Sequence, residues 1–303
     1  MTTIAVGCSV PARTAGLDEV GRALRSMADA GLDHVITGDH VSFRGGRGMD
    51  GLILAALYAA LEPRLTAYLA VYLLPLRHPA TVARQLVTLA EAAPGRLVFG
   101  VGVGGEDRHE VEICGVDPAT RGRRMDESLE VLRALLTGEP VTFRGEQIQV
   151  EAAQIVPPPP VPIPIVVGGR SNAAVRRAGR FGEGWLGIWC STRRFAEAVS
   201  LAAEEATRAG RGDVAWQHGM QVWCGIGATR EQAREQVSAA MEQVHRLPFA
   251  SFERYVPCGT PADVAEMLRG YVEVGCRSFN LLPCAADPAE AIEGAGEICR
   301  LLN

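Results

Sequence analysis

Three short stretches hold the residues best suited to chemistry. Gly38-Asp39-His40 sets a carboxyl beside an imidazole, the side chain that can shuttle a proton near physiological pH. It runs into Val41-Ser42-Phe43-Arg44-Gly45-Gly46-Arg47-Gly48, a glycine- and arginine-bearing loop expected to be flexible and to order over a ligand. Spacing alone also fits a plainer reading, with Asp39 capping a turn and His40 on the surface. The second stretch, Gly100-Val101-Gly102-Val103-Gly104-Gly105-Glu106, contains the letters G-x-G-x-x-G. Polar Glu106-Asp107-Arg108-His109 follows where a dinucleotide site would open a helix, so that reading is rejected. What Gly102, Gly104 and Gly105 do allow is close approach of a flat ring or a phosphate to backbone, with Glu106 and Glu110 as polar neighbours; tight packing without a ligand is the alternative. Third, Gly168-Gly169-Arg170-Ser171 stands directly before the helical pattern Ala174, Val175, Ala178, Phe181. Unobstructed N–H groups, a Ser171 cap, a helix N-terminus and the Arg170 fork make an anion site, although a simple strand-to-helix turn uses the same residues.

Composition removes many other chemistries. All 30 basic residues are arginine, so no lysine is present for a Schiff base or a P-loop. Abundant Ala, Gly and Arg fit a high-GC bacterial source. With 35 acidic residues the net charge is −5, which gives no basic field for nucleic acid or an anionic membrane. At 48% hydrophobic and 21% charged the chain is a soluble globular one, and apolar runs such as residues 52–61 fall short of a membrane span. Eight cysteines show no C-x-x-C pair and read as reduced core thiols; with no export signal, the expectation is a cytoplasmic protein. The six histidines have no metal-ligand spacing, so no metal is expected, and no G-x-S-x-G elbow occurs. The four tryptophans read as core, with Trp189 placed to line a site.

The positioning elements are legible from periodicity. Apolar, β-type runs recur at residues 3–8, 34–37, 65–72, 97–101, 163–167, 185–189, 221–226 and 278–282. Between them lie helical patterns at 17–30, 50–61, 171–181, 192–209, 230–244, 261–274 and 288–301. Two more are marked by Val82, Leu86 and Leu89 after Pro79, and by Met125, Leu129, Leu132 and Leu136 before Gly138. Eight alternations without a break in composition predict an α/β fold, a (β/α)8 TIM barrel forming one domain over residues 1–303. Surplus length falls after strand four, at 102–119, and before strand five, at 139–162. The second insertion reads as a hairpin over 141–150 turning at Arg144-Gly145, then a proline run that delivers extended chain. Barrel sites are built from loops at the carboxyl ends of the strands, where all three stretches fall.

Gly38-Asp39-His40, Leu76-Arg77-His78-Pro79, Gly95-Arg96-Leu97-Val98-Phe99-Gly100-Val101-Gly102 and Gly168-Gly169-Arg170-Ser171, taken in order, resemble the bacterial luciferase-like superfamily of flavin and deazaflavin oxidoreductases. The match also includes Ala178-Gly179-Arg180-Phe181-Gly182-Glu183-Gly184-Trp185 and covers roughly residues 1–190 well. The resemblance implies the barrel, a homodimer, and a tricyclic ring in the barrel mouth with its phosphate near the strand-four and strand-five loops. It makes His40 the acid/base or substrate-positioning candidate, with Asp39 tuning or orienting it and Glu106 or Glu110 a second acid. It also implies a non-proline cis peptide in strand three, near Leu69-Ala70-Val71, supporting the ring. The sequence looks closer to the branch using coenzyme F420, a deazaflavin that passes hydride to or from a small organic substrate. Phe43-Arg44 and the missing lysines argue against glucose 6-phosphate. The rival readings are an FMN-dependent monooxygenase fed by a separate reductase, and a non-catalytic flavin-binding protein on the same barrel.

Overall fold

The computed structural model describes residues 3–10, 16–104, 107–246 and 248–303. Its first half runs β1 (Ala5–Ser9), α1 (Leu17–Asp29), β2 (His34–Thr37), β3 (His40–Phe43), β4 (Arg47–Met49), α2 (Gly51–Leu61), β5 (Thr66–Leu69), α3 (Pro79–Ala92), β6 (Leu97–Val101), α4 (Arg108–Ile113) and α5 (Arg121–Leu135). The second runs β7 (Val141–Arg144), β8 (Gln149–Ala153), β9 (Ile165–Gly168), α6 (Asn172–Phe181), β10 (Gly184–Ile188), α7 (Thr192–Arg208), β11 (Gly219–Ile226), α8 (Arg230–His245), β12 (Cys258–Gly259), α9 (Pro261–Glu273), β13 (Ser278–Cys284) and α10 (Pro288–Leu302). Short 3-10 turns lie at Leu74–Leu76, Phe249–Ser251 and Glu253–Tyr255.

Parallel pairing runs β10-β9-β6-β5-β2-β1-β13-β11, and a β10–β11 pairing closes the ring. These are the eight strands expected from the apolar runs, and the fold is the (β/α)8 TIM barrel. Strand alternation separates two cores. Val6, Val35, Phe99, Val167 and Phe279 face outward into the layer beneath the helices, while Ile36, Tyr68, Val166 and Leu186 fill the lumen. Buried on both faces, such strands read as continuous apolar runs, and each large side chain so buried contributes about 1.5–3 kcal/mol. Helices begin at the carboxyl ends of the strands, where local caps stop the backbone N–H groups from going unpaired. Asp50 accepts from Leu52 and Ile53, Ser171 from Ala174, and Thr260 forms a capping box with Asp263.

The surplus chain lies where expected. After β6 it makes α4 and the approach to α5; before β9 it makes the antiparallel β7–β8 hairpin, with Phe143 opposite Val150. The segment after His40 differs from the expected flexible loop. It is an antiparallel hairpin, β3–β4, that turns through Arg44, Gly45 and Gly46 at φ of 40°, 92° and 86°. The third barrel strand also stops early, at Leu69 rather than at residue 72, and a cis peptide follows between Ala70 and Val71. All eight cysteines are unbridged, and burial pushes the thiols of Cys8 and Cys276 up to about 12.

Two histidines sit inside the structure as neutral rings. His34 places Nε2 at 2.7 Å from Asn280 Oδ1, and His218 Nδ1 accepts from the Trp185 N–H at 3.1 Å. Burial lowers each from 6.5 to about 4. Between those pH values the unfolded chain binds more protons than the folded one, so stability must fall as pH drops. From the shift, each ring accounts for about 3 kcal/mol lost across the whole window. Urea unfolding at pH 7 and pH 5 should show this loss, with a shallower pH dependence for the His34→Gln/His218→Gln double variant; an unchanged dependence would refute the assignment.

Candidate active site at the barrel mouth

The mouth is organised by Asp39, which is 2% exposed. Its Oδ1 accepts from Arg77 Nη2 at 2.9 Å and from the Gly51 N–H at 3.1 Å; Oδ2 accepts from Arg77 Nη1 at 2.5 Å and from the Leu73 N–H at 2.9 Å. The guanidinium carbon of Arg77 lies 4.5 Å from the centre of the Tyr72 ring. A carboxylate taken out of water is tolerated because every donor needed to replace hydration is supplied. Asp39 thereby joins the end of β2, the start of α2 and the turn after β5. With two donors on each oxygen it is a positioning group.

His40 is held from the other side of the mouth. Its Nδ1 lies 3.0 Å from Glu110 Oε2 and 3.2 Å from Oε1, and its ring stacks on Phe43 with centres 4.3 Å apart. Glu110 is 1% exposed, and its Oε1 also accepts from the Val41 N–H at 2.7 Å and the Ser42 N–H at 3.2 Å. Asp107, the cap of α4, accepts from the Arg44 N–H at 2.7 Å. Those backbone N–H groups hold Asp107 below the usual carboxylate range. Two carboxylates of the strand-four insertion thus grip the β3–β4 hairpin, which is why it is ordered. With Nδ1–H given to Glu110, the imidazole presents Nε2 as its acceptor. The orienting role expected of Asp39 belongs to Glu110.

Beyond Leu69 the half-exposed Ala70 and Val71 face the mouth beside the lumen core. A Cβ on Gly102 would stand 2.5 Å from Val71 Cγ2, and one on Gly168 would stand 2.7 Å from Val71 Cγ1. Val71 therefore occupies the space above both strands, and packing requires glycine at both positions. Gly104 and Gly169 are required by conformation, with φ of 66° and 136°. Next to them Ser171 caps α6 and Arg170 is exposed, its guanidinium carbon 5.6 Å from the Trp189 ring. Trp185, buried behind the turn, donates its indole N–H to the Gly169 carbonyl at 2.8 Å. The α6 N-terminus is consequently a rigid, accessible turn able to take an anion.

The sequence profile of the luciferase-like monooxygenase family matches residues 1–256. The chain belongs to this family. An uncharacterized protein of Mycobacterium tuberculosis (strain ATCC 25618 / H37Rv) is 36% identical over 52% of this chain, and the match spans only 54% of that relative's length. An F420-dependent glucose-6-phosphate dehydrogenase of Kineococcus radiotolerans is 28% identical over 82% of this chain and 81% of its own. An F420-dependent secondary alcohol dehydrogenase, solved with an F420–acetone adduct, superposes with a TM-score of 0.87 at 18% identity, covering 99% of both chains. The FMN-bound oxygenating constituent of 3,6-diketocamphane monooxygenase from Pseudomonas putida gives 0.80 at 17%, covering 99% of this chain and 98% of that one. Apart from the uncharacterized relative, these are F420- or FMN-linked dehydrogenases and a monooxygenase. Among the described residues no helix is long and apolar enough to cross a membrane.

On this luciferase-like barrel the structure brings Asp39, His40, Glu110, Leu69, Ala70, Val71, Gly102, Gly104, Gly168, Gly169, Arg170 and Ser171 to the carboxyl ends of neighbouring strands. Gly105 and Glu106 lie outside the described residues. Among those described, no group of three His, Cys, Asp or Glu side chains is gathered as metal ligands would be. Sequence reasoning gave no role to Arg77, Asp107 or Trp185. Arg77 stands in the motif Leu76-Arg77-His78-Pro79, and its signal was a cation between a turn and a helix start with no acid nearby in sequence. Replacing it isolates the Asp39 charge, so Arg77→Ala should lower unfolding free energy by about 3–5 kcal/mol. The exposed pair Arg123–Glu146 serves as control, and Arg123→Ala should change stability by less than about 1 kcal/mol in the same denaturation experiment.

Proposed function

We propose that the chain is a coenzyme F420-dependent oxidoreductase that moves hydride between the deazaflavin and a small organic substrate. One observation carries the reading: His40 and Glu110 form an oriented acid/base pair at the rim of the barrel lumen, within a family whose F420-dependent members include relatives of this chain. The residues fit a planar ring with an anionic tail. Half-exposed Ala70 and Val71 offer an apolar face, and the α6 N-terminus with Ser171 and Arg170 offers donors to a phosphate. In the absence of lysine, arginine and backbone N–H groups must do this work.

The coenzyme supplies the hydride donor or acceptor; the chain supplies position and the proton. With Nδ1 of His40 facing the Glu110 carboxylate, Nε2 is the ring atom that accepts the hydroxyl proton when an alcohol is oxidised and returns it when a carbonyl is reduced. Phe43 stacks on one face of the ring. Fluorescence titration should show tight binding of oxidised F420. His40→Ala should bind it equally while turnover falls roughly 10²- to 10⁴-fold. Tight binding of FMN alone would transfer the site to the monooxygenase reading, and cofactor binding without turnover on any alcohol or carbonyl would support a non-catalytic protein.

The homodimer belongs to the same proposal. Helix α2 is apolar around its whole circumference: Leu52, Ala55 and Tyr58 are buried in the barrel, yet Ile53 is 70% exposed with Ala56, Leu57 and Ala60 beside it. A second copy covers this stripe. Light scattering should give the dimer mass, and Ile53→Glu should give the monomer with unchanged thermal unfolding of the barrel; a monomeric wild type removes the dimer.

A further inference from the structure

Around the closed ring the strand opposite β2 is β10, so the wall facing His40 is built by β10 with its neighbours β9 and β11, and by β13 beyond β11. That wall is aromatic. Trp189, just past β10, and Trp223 in β11 are half-buried against Phe249, Phe252 and Val256 from the segment that follows α8. The Trp189 and Phe252 rings have centres 4.5 Å apart, inclined at 45°. Met220, Val222 and Cys224 of β11 belong to the outer core, so alternation turns Gln221 and Trp223 toward the lumen. The same argument turns Leu282 inward from β13, where it packs on the lumen floor of Ile36, Tyr68, Val166 and Leu186. Across the mouth stands the stacked pair His40 and Phe43. The space between is a slot with aromatic sides and a mainly apolar floor, in which the Tyr68 hydroxyl and Gln221 are the polar groups.

Much of the charge around the slot is already engaged. Asp39 is bonded to Arg77 and Glu110 to His40. On the segment covering the aromatic wall, Glu253 is paired with Arg234, and Arg254 lies over Tyr255 at 4.6 Å. Arg170 lies over Trp189 at the rim, on the turn that the proposed function assigns to the coenzyme's anionic tail. The guanidinium of Arg44 lies over Phe43 at 5.0 Å, as that of Arg170 lies over Trp189. A sugar phosphate carried past these two cations onto the floor would lose the hydration of a dianion, a penalty of several kcal/mol. An uncharged ring loses little and gains burial.

We infer that the substrate is an uncharged alcohol or carbonyl compound with a cyclic, apolar body, which lies against Trp189, Trp223 and Phe252 and turns its oxygen toward His40. This rests on the F420-dependent reading above. In the oxidising direction the substrate's C–H bond breaks with its electron pair, the hydride reducing the deazaflavin. The O–H proton goes to His40 Nε2 and a C=O bond forms; reduction is the reverse. Trp189, Trp223 and Phe252 are specificity-determining residues, in a position where a sugar-phosphate enzyme would need cations.

Calorimetric titration of the full chain with cyclohexanone and with glucose 6-phosphate, with F420 present and absent, tests this. Saturable binding of cyclohexanone in preference to glucose 6-phosphate is expected. Trp223→Ala and the milder Phe252→Leu should each weaken it by about tenfold, the worth of one lost apolar wall, without changing F420 affinity. Equal or tighter binding of glucose 6-phosphate, binding of neither compound, or wild-type affinity for cyclohexanone in both variants overturns the inference. If F420 fails to bind while cyclohexanone binding depends on the aromatic wall, the coenzyme assignment fails and the substrate class stands.

Discussion

The mouth of this barrel depends on one buried charge. Asp39 sits two residues past the end of a fully buried strand, where an unpaired carboxylate would cost several kcal/mol, so the surroundings must be arranged to donate to it. Arg77 meets both oxygens in a fork, and the N–H groups of Gly51 and Leu73 complete the shell. Satisfying that single group fixes three chain segments against one another: the exit of β2, the first turn of α2 and the turn after β5. His40 is the next residue after the anchor, so its backbone position is inherited from Asp39, while its ring orientation is set separately by Glu110. Two neighbouring residues thus divide the labour of location and direction.

A second constraint is steric. Because the backbone after Leu69 leaves the strand path, the side chain of Val71 is carried across the ends of β6 and β9, and only residues without a Cβ can stand beneath it. The glycines at 102 and 168 are therefore the receiving side of a packing contact. What the mouth gains is a small, stiff apolar surface at Ala70 and Val71, held without polar groups. On the adjoining turn, Trp185 fixes the Gly169 carbonyl from behind, leaving the outward side of the α6 N-terminus open. Ring-sized apolar surface and anion-sized polar turn lie next to each other because β6 and β9 are paired neighbours, Gly100 opposite Val166.

Most of the architecture was legible because it rests on local causes. Eight doubly buried strands announce themselves as apolar runs, helix starts carry their own caps, and the β7–β8 hairpin has alternating residues, although its turn falls at residues 145–148, after Arg144 has paired with Gln149, rather than at Arg144-Gly145. What failed to show was long-range pairing. His40 and Glu110 are seventy positions apart, and nothing near either residue tells an imidazole which acid it will meet; Glu106 and Glu110 were equally good candidates on spacing. Arg77 was invisible as a partner of Asp39 for the same reason. The segment 40–48 read as flexible because its glycines were taken for mobility. They are instead the residues that allow the positive φ of a tight hairpin, and the groups that order it, Asp107 and Glu110, come from another insertion.

The two sides of the mouth differ in kind, and this difference bears on how one barrel can serve unlike substrates. The β2–β6 side is built from polar groups whose partners are all internal: Asp39 with Arg77, His40 with Glu110, Asp107 with the hairpin backbone. Changing any of them leaves a buried donor or acceptor unpaired, so this side resists alteration. The β10–β13 side is an apolar satellite core formed by Trp189, Trp223 and the 249–256 segment, where one hydrophobic residue can replace another at modest cost. Proton chemistry is thereby tied to the rigid side and the shape of the substrate to the permissive one. A chain evolving toward a new substrate can repack the second without disturbing the first.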